Sequence, residues 1–168
     1  MKHFLWLIAF VAALLTLASA KVDGKSTAEI GSEAPDFEVS DSEGALRLPD
    51  LKGKWVILSF WSAQDADSRI DQNNVSNYLR NLESSHEADD QNVAVVSVNF
   101  DRSKGLMKEV AAYDHLIGRQ IHVGQPDLAS DIRNAYGMTD QLRTFIINPQ
   151  GEIVSVDPSP ETLASLGS

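Results

Sequence analysis

Long apolar runs alternate along the chain with polar segments of helical periodicity. The strongest run is KWVILSFW at 54–61, a continuous apolar stretch typical of a central parallel strand that is covered on both faces. A second run, VAVVSVNF, occupies 93–100. Shorter strands are predicted at 37–39, 46–48, 121–123, 143–147 and 152–156. The turn NPQG at 148–151 predicts that the last two strands form a hairpin.

Helices are predicted around these strands, at 65–83, 103–115, 127–136 and 160–166. Ser103 is expected to cap the second helix and Gly137 to close the third. The apolar residues of the first helix fall near one face, which predicts that this face packs on the sheet. These residues are Ala66, Ile70, Tyr78, Leu79 and Leu82. The order of elements predicts an α/β fold, with a parallel pair of strands extended by an antiparallel hairpin and helices on both faces.

The first 20 residues have the pattern of a signal peptide. Lys2 gives a positive start, 4–15 form an unbroken apolar run, and ASA at 18–20 is the small-x-small pattern before a cleavage site. The run is shorter than the roughly 18–20 residues of a spanning helix, so cleavage is predicted over an uncleaved membrane anchor. Residues 21–29 are small and polar, which predicts a flexible linker before a domain at 30–168. We therefore expect an exported protein, periplasmic or extracellular, with no membrane span after the leader is removed.

Composition excludes several classes of function. The formal net charge of −10 argues against nucleic acid and anionic membrane surfaces as partners. The chain has no cysteine, which excludes disulfides, thiolate nucleophiles, thiolate metal sites and dithiol redox cycles. His86, His115 and His122 are far apart and lack the spacing of zinc ligands. No metal or cofactor site is predicted from these residues.

Five sequence segments resemble the thioredoxin-like proteins of the exported TlpA/ResA type, which are related to the AhpC/TSA peroxiredoxin-like domains. The segments are GSEAPDF at 31–37, DLKGK at 50–54, LSFW at 58–61, AYG at 135–137 and FIINPQGEIV at 145–154. They occur in the family's order over about 30–156. The resemblance implies a thioredoxin-like fold, a central mixed sheet with helices on both faces and an N-terminal β-hairpin.

The residues that carry redox chemistry in that family are absent here. The family places C-x-x-C and then arginine directly after the F-W strand, whereas this chain has DADS at 65–68 followed by Arg69. A cysteine at a helix N-terminus is activated because the helix dipole favours the thiolate. Aspartate also suits that position, but a carboxylate cannot form a mixed disulfide. Aligned as a peroxiredoxin, SAQD at 62–65 again lacks the reactive sulfur.

The second half of the family's site is also changed. Its cis-proline aligns with Leu142, where a trans bond is expected because a non-proline cis bond costs about 3 kcal/mol. Trp61 at the strand tip is interpreted as core packing or as the floor of a groove. The resemblance thus implies a degenerate redox site that could serve as a partner groove. Its positions are Trp61, Asp65, Ala66, Asp67, Ser68, Arg69 and Leu142.

Local helix chemistry offers a simple interpretation of the replaced positions. Ser62 and Asp65 fit an N-terminal capping pattern, and Asp65 could itself be the cap. Asp65 and Arg69 are four residues apart, which predicts a helical ion pair. The alternative interpretation is an acidic cluster of Asp65, Asp67 and Asp71 that binds a cation or a basic partner peptide.

The sequence leaves three functions open. The first is a non-catalytic binding or scaffold module of the cell envelope, with an unknown protein as partner. The second is a participant in envelope thiol-disulfide or antioxidant processes that acts through a partner. The third is a cation-binding module at the acidic helix start. Because the chain has no cysteine, no dithiol oxidoreductase or peroxidase activity is expected, and no catalytic residue is assigned.

Overall fold

The structure is a computed structural model that describes residues 28–84 and 92–166. The leader predicted at 1–20 and most of the predicted linker lie outside the described residues. The strands are β1 (Glu38–Asp41), β2 (Gly44–Arg47), β3 (Trp55–Trp61), β4 (Val93–Asn99), β5 (Gln120–His122), β6 (Thr144–Ile147) and β7 (Ile153–Val156). The helices are α1 (Ala66–Ser84), α2 (Lys104–Tyr113), α3 (Pro126–Ala135) and α4 (Pro160–Ala164), and a short 3₁₀ turn covers Leu48–Leu51.

The central sheet has five strands in the order β5-β4-β3-β6-β7. Strand β3 runs parallel to β4, with Trp55 opposite Val93 and Trp61 opposite Asn99. Strand β4 is also parallel to β5, whereas β6 is antiparallel to both β3 and β7. Strands β1 and β2 form a separate antiparallel hairpin. The predicted mixed sheet and N-terminal hairpin are confirmed.

The two faces of β3 enter different parts of the core. Val56, Leu58 and Phe60 join a large cluster on one face, whereas Ile57 packs with side chains of α1 and α4 on the other. Six of the seven β3 residues are buried, as expected of a strand covered on both faces. The carboxyl ends of the parallel strands β3 and β4 therefore lie side by side, where loops begin on each of them.

The N-terminal segment forms hydrogen bonds with residues beside both edge strands of the sheet, β7 and β5. The Ala34 amide donates to the Gly151 carbonyl at 2.9 Å, which brings the first family segment against the β6–β7 turn. The Arg119 guanidinium donates to the two Asp41 carboxylate oxygens at 2.9 and 2.7 Å, which fastens the hairpin beside β5. These hydrogen bonds lower the pKa of Asp41.

The buried face of α1 differs from the predicted one. Ile70 was expected to face the sheet, but 60% of its surface is exposed. Tyr78 is buried as predicted and Leu82 packs against the apolar cluster, but the helix also buries Ser68, Gln72, Val75 and Ser76, which the prediction did not include. The polar members find partners beneath the helix, since Gln72 Nε2 donates to Ser97 Oγ at 2.7 Å. Apolar periodicity failed here because the neighbouring sheet is itself polar at this point.

Candidate functional site

Helix α1 begins directly after β3 and is capped by Asp65. The Ser68 amide donates to Asp65 Oδ1 at 2.7 Å, the geometry of an N-cap carboxylate with the third helical residue. The Asp65 amide in turn donates to the Ser62 carbonyl at 3.1 Å. Of the two capping patterns that the sequence allowed, the structure shows Asp65 as the cap. Its negative charge lies at the positive end of the helix dipole.

Ser68 occupies the position of the second cysteine of the family motif and is buried, with 1% of its surface exposed. Its hydroxyl accepts a hydrogen bond from the Ser62 amide at 3.2 Å and donates one to the Asp65 carbonyl at 3.1 Å. Both positions that correspond to the family's cysteines are therefore occupied by residues that hydrogen-bond the turn to the helix start. This arrangement stabilises the turn and contains no group able to exchange electrons.

Asp101 is the functional-site residue that sequence reasoning missed. It follows β4 and is 5% exposed, and its carboxylate accepts hydrogen bonds from Ser62 Oγ at 2.6 Å and the Ala63 amide at 2.9 Å. Asn99 Nδ2 donates to the same carboxylate at 2.7 Å. His122 Nε2 lies 2.7 Å from the Asp101 carbonyl oxygen, so His122 has a satisfied polar contact. Asp101 thus joins the loops after two adjacent parallel strands.

The sequence contained a signal for this contact. Asn99 and Asp101 end a strongly apolar run, as Ser62 does, and parallel strands present their carboxyl ends at one edge of the sheet. Placing the two loops side by side would have brought Asp101 beside Ser62. We refer below to Ser62, Ala63, Asn99 and Asp101 as the strand-end network.

The predicted ion pair between Asp65 and Arg69 is wrong. Arg69 Nε and Nη2 donate to the two carboxylate oxygens of Asp114 at 2.7 and 2.6 Å, a bidentate pair that joins α1 to the end of α2. These hydrogen bonds lower the pKa of Asp114. Asp114 presents both carboxylate oxygens to the guanidinium, whereas the Oδ1 of Asp65 accepts from the Ser68 amide.

Two of the seven site positions lie in the core. Trp61 is fully buried and packs with Ala63 and Met107, so its side chain does not line the surface. Leu142 is 4% exposed and belongs to the large core cluster. Peptide bonds are trans throughout the described ranges, including the bond before Leu142, as expected. The exposed positions are Ala66 and Asp67, with Asp65 and Arg69 half-buried.

Carboxylates gather on one flank of α1. Burial raises the pKa of Asp71, and the nearby charges of Asp157, Asp67 and Asp65 raise it further. Within 28–84 and 92–166, no group of three or more His, Asp or Glu side chains is arranged to hold a metal ion. The acidic residues therefore produce a negative potential without converging on one point.

A polar cleft of about 500 Å³ lies beside the helix start, between the loops that follow β3 and β4. It is lined by Ser62, Gln64, Phe100, Asp101, Arg102, Ser103 and Leu106. The Asp101 carboxylate in its lining is already engaged by the strand-end network. The cleft is thus lined by both a carboxylate and a guanidinium, and by hydroxyl groups but no thiol.

The fold and the helix start define a thioredoxin-like protein whose two dithiol positions hold aspartate and serine. The model of the AhpC/TSA family matches residues 30–156, and the chain belongs to this family. It is 30% identical to the thiol-disulfide oxidoreductase ResA of Bacillus subtilis (strain 168), over 89% of this chain and 79% of that protein. ResA of Geobacillus thermodenitrificans (strain NG80-2) is 26% identical, over 93% and 84% of the two chains.

Solved structures show the same fold. The thioredoxin domain of a thiol-disulfide oxidoreductase from Bacteroides vulgatus superposes with a TM-score of 0.68 at 24% identity, covering 81% of this chain and 93% of that one. A thiol:disulfide interchange protein from Bacteroides sp. gives 0.68 at 23% identity, covering 83% and 88%. In the described part of this chain, no helix is long and apolar enough to cross a membrane.

Proposed function

We propose that this chain is an exported thioredoxin-like module that binds a protein partner and performs no dithiol chemistry. The observation that carries the proposal is the occupation of both dithiol positions by hydrogen-bonded oxygen residues, Asp65 and Ser68, in a chain without cysteine. Thiol-disulfide exchange proceeds by attack of a thiolate on a disulfide sulfur, and this chain has no thiolate to offer. What the scaffold retains is a surface at the start of α1.

The leader pattern supports export. A positive start, a short apolar run and a small-x-small site precede the domain that the family match covers. Mass spectrometry of the protein purified from its native host tests this part of the proposal. A mature N-terminus immediately after residue 20 supports it, and a chain that begins at Met1 contradicts it.

A reductase assay tests the absence of dithiol chemistry. The purified protein is incubated with insulin and dithiothreitol, and with hydrogen peroxide, next to an active thioredoxin as the positive control. We expect no catalytic turnover above the buffer blank, since the chain supplies no thiol. Reduction of insulin or consumption of peroxide above that blank would overturn the proposal.

A double variant shows whether the scaffold still places the two positions for sulfur chemistry. Asp65→Cys with Ser68→Cys is expected to form an internal disulfide, because residues three apart on a helix lie within the reach of an S–S bond. Non-reducing mass spectrometry after labelling of free thiols measures it. Each single cysteine variant serves as the control and should keep one free thiol, which is counted after unfolding because position 68 is buried.

A second candidate function is participation in thiol-disulfide processes through a partner. It is favoured by the ResA relatives, whose names describe thiol-disulfide oxidoreductases. Affinity capture from the native host separates the two candidates. Recovery of client proteins that share unpaired cysteines supports the second, and recovery of one constant partner independent of thiols supports the first.

A further inference from the structure

We propose that the first two turns of α1 open from the sheet as a unit while the rest of the helix stays packed, and that the Arg69–Asp114 ion pair is the latch that holds these turns closed. They comprise residues 66–73, and we call them the latched segment. The inference goes beyond the proposed function and does not depend on it, because it concerns how the helix start is held and not which partner binds there.

The latched segment lacks apolar contacts with the sheet. Its buried side chains are those of Ser68 and Gln72, whereas its large apolar residue, Ile70, is 60% exposed. In the part of the chain that the structure describes, no side chain of 66–73 belongs to an apolar cluster. Because most helical stability in proteins comes from the packing of an apolar face, this segment lacks the main contribution that would fix it to the sheet.

The second half of α1 is anchored by apolar packing. Val75 and Tyr78 are buried in the cluster that contains Ile57 and Ile146 of the sheet, and Leu82 packs against the same cluster. Opening this half of the helix would expose apolar surface to water, which is unfavourable in proportion to the area exposed. The two halves of one helix are therefore held by different forces.

Hydrogen bonds lie beneath the latched segment instead. Gln72 Nε2 donates to Ser97 Oγ at 2.7 Å, and Ser68 Oγ accepts from the Ser62 amide at 3.2 Å. Gln72 Oε1 is buried and has no hydrogen-bond partner among the described residues. When the segment opens, these groups exchange protein partners for water, and Gln72 Oε1 gains a partner. Opening is therefore less costly here than in the second half of the helix.

A weak point in α1 separates the two halves. Residues 72–74 read Gln-Asn-Asn, and asparagine is a poor helix former. Asn73 Nδ2 donates to the Arg69 carbonyl at 3.0 Å, which is the carbonyl one turn earlier in the helix. A side chain that bonds such a carbonyl competes with the helical hydrogen bond and weakens the helix at that point. We place the hinge at Asn73 and Asn74.

The latch joins the segment to the end of α2. Arg69 donates two hydrogen bonds to the Asp114 carboxylate, at 2.7 and 2.6 Å, and the Asp114 side chain is only 9% exposed. Bidentate pairs between charged groups are stronger than hydrogen bonds between neutral groups. Among the ion pairs of the described residues, this is the one pair that a residue of 66–73 makes. Loss of the pair should therefore favour the open form.

Opening would give the candidate site two states. Ser68 lies inside the latched segment, and its amide and hydroxyl bond Asp65 only while the segment is closed. The two positions that correspond to the family's cysteines are thus held together in the closed form and separated in the open form. A ligand with different affinities for the two forms would shift their populations, so the latch acts as a conformational control of this surface.

Native-state amide hydrogen exchange, followed by NMR at increasing urea concentration, tests the proposal. We expect the amides of 70–73 to share one opening free energy and to exchange about tenfold or more faster than those of 78–82. Their exchange should depend on urea, because a cooperative opening exposes surface. Arg69→Met removes the latch and keeps a good helix former. It should accelerate exchange of 70–73 about tenfold or more and leave 78–82 within about twofold of wild type.

Arg119→Met is the matched control, since it breaks a second bidentate arginine–aspartate pair, with Asp41, away from α1. It should leave exchange of 70–73 unchanged. Asp114→Asn retains one acceptor oxygen and should accelerate exchange of 70–73 less than Arg69→Met does. Circular dichroism melts confirm that each variant is folded.

Three outcomes would overturn this inference. Equal protection of 70–73 and 78–82 would mean that α1 opens as a whole. Protection that declines residue by residue toward Ala66 without urea dependence would mean fraying of a helix end. Exchange of 70–73 that Arg69→Met leaves unchanged, or that Arg119→Met raises equally, would mean that the Asp114 pair is not the latch. The insulin and peroxide assays test the proposed function separately.

Discussion

The two faces of the central sheet differ in kind. On the α3 face, Phe60 contacts the rings of Phe37, Phe100, Tyr136 and Phe145 at centroid distances of 5.0–6.1 Å. On the α1 face the same strand presents Ser59, whose hydroxyl lies 3.0 Å from that of Thr144. One face is packed with aromatic rings, whereas the other combines a smaller apolar cluster around Ile57 with buried hydrogen bonds such as that between Gln72 and Ser97.

The polar face also carries buried groups that are less well satisfied. Trp61 Nε1 and Gln72 Oε1 are both buried, and neither has a hydrogen-bond partner in the described ranges. Buried polar groups without partners reduce stability. The comparison teaches that large-to-small substitutions should cost more on the aromatic face, while the α1 face carries the buried polar groups that lead to the helix start.

The largest expected effect comes from breaking the aromatic face. Phe60→Ala should lower the free energy of unfolding by about 3–5 kcal/mol, because it removes a buried ring and leaves a cavity. Urea denaturation followed by tryptophan fluorescence measures the change. Tyr113→Ala, at a ring that is 80% exposed, is the control and should change stability by less than about 0.5 kcal/mol. A loss below 1 kcal/mol for Phe60→Ala would contradict the ranking of the two faces.

The next largest loss of stability is expected at the strand-end network. Asp101→Ala should cost on the order of 2–4 kcal/mol, since the Ala63 amide, Asn99 Nδ2 and the Ser62 hydroxyl lose their common acceptor. Asp101→Asn retains one acceptor oxygen and should cost about half as much. Urea titration of both variants measures the difference. Equal stability of all three proteins would show that the network does not hold the two loops.

A smaller effect is expected at the helix cap. Asp65→Ala should lower stability by about 1 kcal/mol, because the Ser68 amide loses its side-chain acceptor. Asp65→Asn caps nearly as well and should stay within a few tenths of a kcal/mol of wild type. Thermal melts at one pH compare the three proteins. An alanine variant as stable as wild type would mean that Asp65 does not stabilise the helix start.

The smallest effect is pH-dependent and concerns Asp71. Its pKa is raised above the ordinary value of 3.8, so the charged carboxylate disfavours the folded state above that raised pKa. Asp71→Asn should therefore increase stability at pH 7 by a few tenths of a kcal/mol, the size of a like-charge pair on a helix. The advantage should shrink as pH falls through the raised pKa and disappear below about 3.8. Urea titrations at pH 7 and pH 3.5 test the sign, and an advantage that grew at low pH would contradict it.

Much of the fold was predictable because its signals are local. The apolar run before Trp61 predicted the central strand, and Asn148 to Gly151 predicted the turn between β6 and β7. Ser103 was predicted to cap α2 and accepts the Leu106 amide. The expectation of no dithiol chemistry follows from composition alone, since no folding can supply a cysteine thiol that the chain lacks.

The contacts of the candidate site were decided by the tertiary structure. Arg69 donates hydrogen bonds to Asp114, which is 45 residues away in sequence. Asp101 accepts a hydrogen bond from Ser62, which is 39 residues away. The buried face of α1 was misread because Gln72 finds Ser97 beneath it, so a polar residue occupies a position where periodicity expects an apolar one. The amino-acid sequence by itself determined the elements, their order and the absence of cysteine thiols. The pairing of polar groups was decided by the packing of strands and helices that are distant in sequence. A hydrogen bond depends on the distance between two atoms in space and not on their spacing along the chain.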